Sequence, residues 1–136
     1  MKSHPALPRA IDTVLLVAIA VDVVLPVLAL ARPAWWFEVL HVGAAPDALH
    51  VALLHRAAAQ WVAFAVVQIL ALARWRREPG WLLITAGVRA SDWLTDLTYF
   101  VAAPDLAPVS VVLLVPLALN VGMALFLAYA HPRVRA

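Results

Sequence analysis

Four long apolar stretches make up most of the chain, and proline, glycine or charged residues separate them. They run approximately over Ile11 to Ala31, Leu49 to Ala73, Trp81 to Ala103 and Ala107 to Ala130. Because a bilayer core about 30 Å thick needs ~20 apolar residues per helix, each stretch is long enough to cross it. The short connections between them are typical of antiparallel neighbours. The pattern predicts an all-α, polytopic membrane protein, an antiparallel bundle of four transmembrane helices forming a single domain over residues 1–136.

The composition supports lipid as the solvent of this chain. Hydrophobic residues make up 65% of the sequence and charged residues 13%, and the mean hydropathy is +0.92. So few polar residues could not cover the apolar stretches in water. The ten Lys and Arg residues are scattered between the stretches and do not form one face, which argues against nucleic-acid binding. The absence of cysteine excludes disulfides, thiolate metal sites and dithiol redox chemistry.

Basic residues alternate between the two sides of the predicted bundle. They precede the first stretch, separate the second from the third and follow the fourth: Lys2, Arg9, Arg74, Arg76, Arg77, Arg133 and Arg135. By the positive-inside rule, this distribution predicts that both termini lie on the cytoplasmic side of a cell inner (plasma) membrane. The tryptophan-rich segment Ala34 to Val42 is predicted to lie along the outer surface as a short interfacial helix.

The third stretch contains polar residues at helical spacing. Intervals of four, three, four and three residues place one stripe on a single helix face: Thr85, Arg89, Asp92, Asp96 and Tyr99. A charged side chain at membrane depth costs ~3 kcal/mol, so this face must meet protein or water.

The other three stretches offer polar partners for that stripe. Together the residues predicted to form a buried polar network or ligand site are Asp22, Arg56, Gln60, Arg89, Asp92, Asp96 and Asn120. Estimated depths predict an ion pair between Arg56 and Asp96, and a second cluster of Arg89 with Asp22, to which Asp92 could also belong. Gly122 is expected to allow close helix approach. The network either fixes helix packing or lines a cavity for a polar ligand head, a proton or an ion.

Metal and catalytic chemistry find little support in the sequence. The histidines His41, His50 and His55 match no established ligand spacing, so no metal and no cofactor are predicted. No set of nucleophile, base and orienting group is visible, and catalytic residues therefore stay unassigned.

Several short motifs resemble those of small four-span DoxX-like bacterial membrane proteins. The motifs are ARPAWWF, LHRAAAQW, RWRREPGW and AGVRASD, within residues 31–92. The resemblance implies a four-helix architecture, and the varied roles of that group include accessory roles beside quinone-linked oxidoreductases. The chain has only four glycines where that group is glycine-rich, so the resemblance assigns no catalytic residue.

Three function classes follow from these observations. The first is a membrane subunit that binds a lipid, quinone or other small amphiphile, or serves as an accessory of a larger membrane complex. The second is a proton-coupled transporter of small molecules, for which a homo-oligomer is expected because four short spans make a narrow pore. The third is a membrane-embedded acid-base enzyme such as an isomerase, with Asp92 or Asp96 as the acid-base group.

Overall fold

The computed structural model describes residues 6–40, 46–102 and 111–135, and these residues contain five helices and no strand. The helices are α1 (Ala6–Ala31), α2 (Pro33–Leu40), α3 (Ala48–Arg74), α4 (Gly80–Ala102) and α5 (Val111–Arg135). The all-helical prediction is confirmed, and a short helix, α2, covers most of the segment that was predicted to be interfacial. The predicted ends at residues 41–42, 103 and 107–110 lie outside the described residues.

The helix boundaries have local causes. Pro33 has no N–H to continue α1 and opens α2 instead. Asp47 caps α3, and its carboxylate accepts a hydrogen bond from the backbone N–H of His50 at 2.9 Å. Hydrogen bonds from His50 hold the pKa of Asp47 below its usual range, and the bond from the backbone N–H has the largest effect. Between α3 and α4, the N–H groups of Arg77 and Glu78 both donate to the carbonyl of Arg74, which closes a tight turn.

The long helices pack as two pairs. Helix α1 lies mainly against α3, and α4 lies mainly against α5. The pairs meet in an apolar core near the α3–α4 turn, to which all four long helices contribute. We call this region the closed end, and its buried residues are Ile11, Leu15, Ala71, Trp75, Leu82, Ala86, Leu127 and Ala130.

At the opposite end of the bundle the apolar cluster comes from one helix pair and α2 only. Its buried residues are Ala29, Trp36, Leu54 and Ala58, and none of the described residues of α4 or α5 belongs to it. Trp36 is 7% exposed and its ring lies 5.4 Å from that of Trp61. It therefore packs in the protein core, whereas the sequence suggested a headgroup anchor. The two helix pairs separate here, and we call this region the cavity end.

Three helices are long and apolar enough to cross a membrane: α1, α3 and the part of α5 over Leu114–Arg135. Large apolar side chains such as Val27 and Leu125 face outward from these helices. Helix α4 is long enough, but Arg89, Asp92 and Asp96 make it more polar than the other three. The structure thus has the character of a helical membrane protein with three clear candidate spans.

Candidate functional site

A buried ion pair joins the two helix pairs at mid-height. The side chains of Asp22 on α1 and Arg89 on α4 are each 1% exposed. Arg89 donates from Nη1 to Asp22 Oδ1 at 3.2 Å and from Nη2 to Asp22 Oδ2, so the contact is bidentate. Planar, two-pronged contacts of this kind are the strong form of a carboxylate–arginine interaction. The pair forms the contact that the sequence suggested between these two residues.

The remaining two long helices complete the surroundings of this pair. Gln68 on α3 donates from Nε2 to Asp22 Oδ2 at 2.7 Å, and Asn120 on α5 accepts from Arg89 Nη1 at 3.1 Å. The ring of Phe64 lies 5.6 Å from the guanidinium carbon of Arg89. Each long helix therefore contributes one polar side chain to a common cluster, as buried charges require when water is excluded.

Two further carboxylates extend from this cluster along α4. Asp92 Oδ2 accepts from Asn120 Nδ2 at 2.9 Å and lies 3.8 Å from Arg89 Nη1. Asp96 lies one helical turn further on, half-buried, and interacts with Asp92 and Asn120. Across the described residues, Asp96 forms no ion pair with a basic side chain. Three carboxylates therefore share one buried cation, and that cation is already engaged by Asp22.

A cavity of about 450 Å³ opens beside these carboxylates, between the separated helix pairs of the cavity end. Its polar residues are Arg89, Asp92, Asp96 and Asn120. Its other walls carry apolar and aromatic side chains: Val21, Leu25, Leu28, Trp35, Trp36, Val39, Trp61, Val115, Pro116, Leu119 and Met123. The result is an apolar chamber with one polar wall.

Two predicted members of the site lie elsewhere. Arg56 and Gln60 are exposed, and within residues 6–40, 46–102 and 111–135 no ion pair joins Arg56 to Asp96. The predicted Arg56–Asp96 pair is therefore wrong. The reason is helical geometry: a row of residues four apart turns by about 40° at each step. Over the three steps from Arg56 to buried Gln68 the rotation adds up to about 120°, which turns Arg56 away from the buried face of α3.

The structure also brings together residues that were not predicted from the sequence. Trp61 lines the cavity, and its spacing from Ala58 and Ala65 on the buried face of α3 could have indicated this. Asp12 accepts a hydrogen bond from Trp75 Nε1 at 3.0 Å and pairs with Arg76, which ties α1 to the end of α3. No local signal in the sequence pointed to that contact, because its partners are more than sixty positions apart.

Gly122 does not act as predicted. The residue is exposed, and a Cβ placed on it would meet no atom within 4 Å. Close packing between α4 and α5 therefore does not depend on this glycine.

The described residues offer no metal centre. They contain no group of three or more His, Asp or Glu side chains that could hold a metal ion. His50 instead contacts the carboxylate of Asp47 through Nδ1 at 2.7 Å, and His41 lies outside the described residues.

Comparison with known proteins adds no family to this description. No family model matches the chain, and neither the curated proteins nor the solved structures include a significant match. The class of protein is therefore defined by the fold itself: an all-helical protein with three candidate membrane spans and a buried polar cluster beside an apolar cavity.

Proposed function

We propose that the protein crosses the membrane four times, with α4 as the fourth span. At ~1.5 Å per residue, the 23 residues of α4 extend about 35 Å, enough for a bilayer core. Its charged face is turned inward: the side chain of Arg89 is 1% exposed and that of Asp92 is 13% exposed. On the other side, Leu94 and Val101 are exposed and suited to lipid. Inward-facing, partnered charges are the arrangement that membrane helices tolerate.

The proposed orientation places both termini and the closed end at the cytoplasmic side of a bacterial inner membrane. It rests on the basic residues of the α3–α4 turn and of the C-terminal segment. Reporter fusions after Arg77 and at the C-terminus should then be active only as cytoplasmic reporters. Fusions near Asp47 and Asp105 should behave as external ones. An external reporter signal after Arg77 would reverse the orientation.

Within this membrane setting, we propose that the protein binds a small amphiphile in the cavity. The observation that carries the proposal is the division of the cavity into long apolar walls and one polar wall. An apolar tail would occupy the space between the helix pairs, and a polar head would contact Asp92, Asp96 and Asn120. A volume of about 450 Å³ lies within the usual range of small-molecule sites. An accessory role in a larger complex, as the DoxX-like resemblance suggests, is compatible with such a site.

Native mass spectrometry of the gently extracted protein tests this proposal. The wild type should retain a small molecule, and the same spectrum gives the oligomeric state. Leu119→Trp should abolish retention, since the added ring would fill the cavity that Leu119 lines. Leu125→Trp is the matched control, because Leu125 lies on the same helix but is 67% exposed and does not line the cavity.

Equal retention by both tryptophan variants would place the ligand outside the cavity and contradict the proposal. A wild type that carries no small molecule, and takes up none when supplied with octanol, octylamine or octanoate in lipid nanodiscs, would also contradict it.

A second candidate function is acid-base catalysis. The observation in its favour is that the apolar cavity ends at two carboxylates on successive turns of α4, Asp92 and Asp96. Positioned carboxylates of this kind can transfer protons to and from a bound substrate. With Asp92→Asn, an enzyme should keep its ligand unconverted, whereas a binding protein should show weaker retention of the same molecule. The proton-coupled transporter remains a third hypothesis, but the apolar core of the closed end does not favour a continuous polar path.

A further inference from the structure

The charges around the cavity indicate which kind of polar head it would accept. Arg89 supplies a positive charge, but Asp22 engages it from the side of α1 through two hydrogen bonds. The two groups together are close to neutral as seen from the cavity. Asp92 has a share of the same guanidinium, at 3.8 Å, and its other donors, Asn120 and Trp61, are neutral. The cavity wall formed by α4 therefore presents uncompensated carboxylate rather than uncompensated cation.

The aromatic side chains of the cavity walls also favour a positively charged ligand. Trp35, Trp36 and Trp61 all line the cavity. Indole rings attract cations through the negative potential of their faces. An anionic head would meet both these rings and the carboxylates, and would have to compete with Asp22 for Arg89. A neutral head brings no charge to pair with the excess carboxylate, which must then hold a proton or stay hydrated.

We propose that the amphiphile bound in this cavity is a lipophilic ammonium compound, whose cationic head pairs with Asp92 and Asp96 and whose tail lies against the tryptophan-rich walls. This inference rests on the proposed binding function and adds the chemical class of the ligand. The ammonium N–H groups can donate to both carboxylates, which lie on successive turns of α4 and both line the cavity.

Three probes with the same alkyl tail test the inference: octylamine, octanol and octanoate. Binding of each is measured by isothermal titration calorimetry at neutral pH to the wild type in nanodiscs of zwitterionic lipid, with empty nanodiscs as the partition blank. Octylamine should bind at least about tenfold more tightly than octanol, and octanoate should bind most weakly. The wild-type comparison needs no variant and is independent of any effect on folding.

Variants then locate the head group. Asp92→Asn and Asp96→Asn should each reduce the preference for octylamine over octanol by about tenfold, while octanol binding changes little. Asp12→Asn is the matched control, because Asp12 is also an acidic residue in a helix but lies at the closed end, paired with Arg76. It should leave the binding of all three probes unchanged.

The outcomes separate the two proposals. Equal binding of octylamine and octanol would overturn the ammonium inference and leave amphiphile binding intact. Preference for octanoate would overturn it as well, and would identify Arg89 as the partner of the head group. Binding of none of the three probes would remove both the inference and the proposed function. Unchanged octylamine preference in both asparagine variants would also overturn the assignment of Asp92 and Asp96.

Discussion

The two ends of the bundle contain the same kinds of apolar residue but differ in how these residues pack. At the closed end, side chains from all four long helices fill the space between the helix pairs, and Leu82 and Leu127 are fully buried. At the cavity end, leucines and tryptophans of similar character surround a space of about 450 Å³. Leu119, for example, remains 42% exposed there. Apolar residues alone therefore do not determine whether a bundle closes or stays open.

The buried ion pair lies where these two regions meet. Asp22 and Arg89 join the helix pairs at mid-height, and the cavity begins on the side of Arg89 that faces Asp92. Pro26 lies one turn after Asp22 and has no N–H to donate to the Asp22 carbonyl, which weakens the regular helix at this level. The arrangement suggests that the closed end and the ion pair hold the bundle together. The cavity walls then do not have to pack against each other to stabilise it.

The largest effect is expected for Arg89→Leu. It leaves the carboxylate of Asp22 buried without its cation, which should lower the free energy of unfolding by ~3–5 kcal/mol. The double variant Asp22→Leu/Arg89→Leu should recover part of this loss, because the carboxylate of Asp22 is removed together with its cation, whereas Asp92 still loses its share of Arg89. Thermal or denaturant unfolding in detergent measures both.

Arg56→Leu is the matched control for that experiment, since Arg56 is an exposed arginine on a neighbouring helix. Its effect should stay below about 1 kcal/mol. A loss at Arg56 equal to that at Arg89 would contradict the placement of the two arginines.

The next-largest effect is expected at a leucine of the closed end, which we compare with a leucine of the cavity end. Leu82→Ala should lower the free energy of unfolding by ~2–5 kcal/mol, because it opens a void in a filled core. Leu119→Ala should cost less than about 1 kcal/mol, because this side chain borders space that is already open. The same unfolding assay applies to both. Similar losses at the two positions would mean that the cavity end is as closely packed as the closed end.

A smaller effect is expected for the contact between α1 and the end of α3. Asp12→Ala removes the acceptor of the Trp75 indole N–H, which is nearly buried, and should cost ~1–3 kcal/mol. Asp12→Asn keeps an acceptor and loses only the exposed pairing with Arg76, so it should cost less than about 1 kcal/mol. If the two variants unfold alike, the hydrogen bond to Trp75 does not contribute.

The sequence predicted the helices well because apolar length and proline breaks are local signals. The α4 stripe was also visible, since its residues share one helix and their spacing alone fixes their common face. Partners on other helices were harder to predict. Depth estimates correctly placed Arg89 near the level of Asp22. Depth does not determine in which direction a side chain points around its helix, however. For this reason the predicted Arg56–Asp96 pair was wrong.

The cavity itself could not be read from the sequence. It depends on how far the two helix pairs separate at one end, which is a property of packing between distant segments. Trp36 illustrates the difficulty: it belongs to the segment predicted to lie along the outer surface, yet its ring packs against that of Trp61 beside the cavity. The polar wall was predictable, whereas the apolar walls that complete the site were not.

The most direct test of the account compares two cysteines one helical turn apart on α5. Both Met123 and Leu127 are buried, but Met123 lines the cavity and Leu127 belongs to the core of the closed end. Since the natural chain has no cysteine, Met123→Cys and Leu127→Cys each introduce a single thiol, whose modification by N-ethylmaleimide in nanodiscs can be followed by mass. Met123→Cys should react, and octylamine should slow its reaction, while Leu127→Cys should react only after denaturation. Equal reaction at both positions, or no reaction at Met123→Cys before denaturation, would contradict a bundle that is closed at one end and open to a ligand at the other.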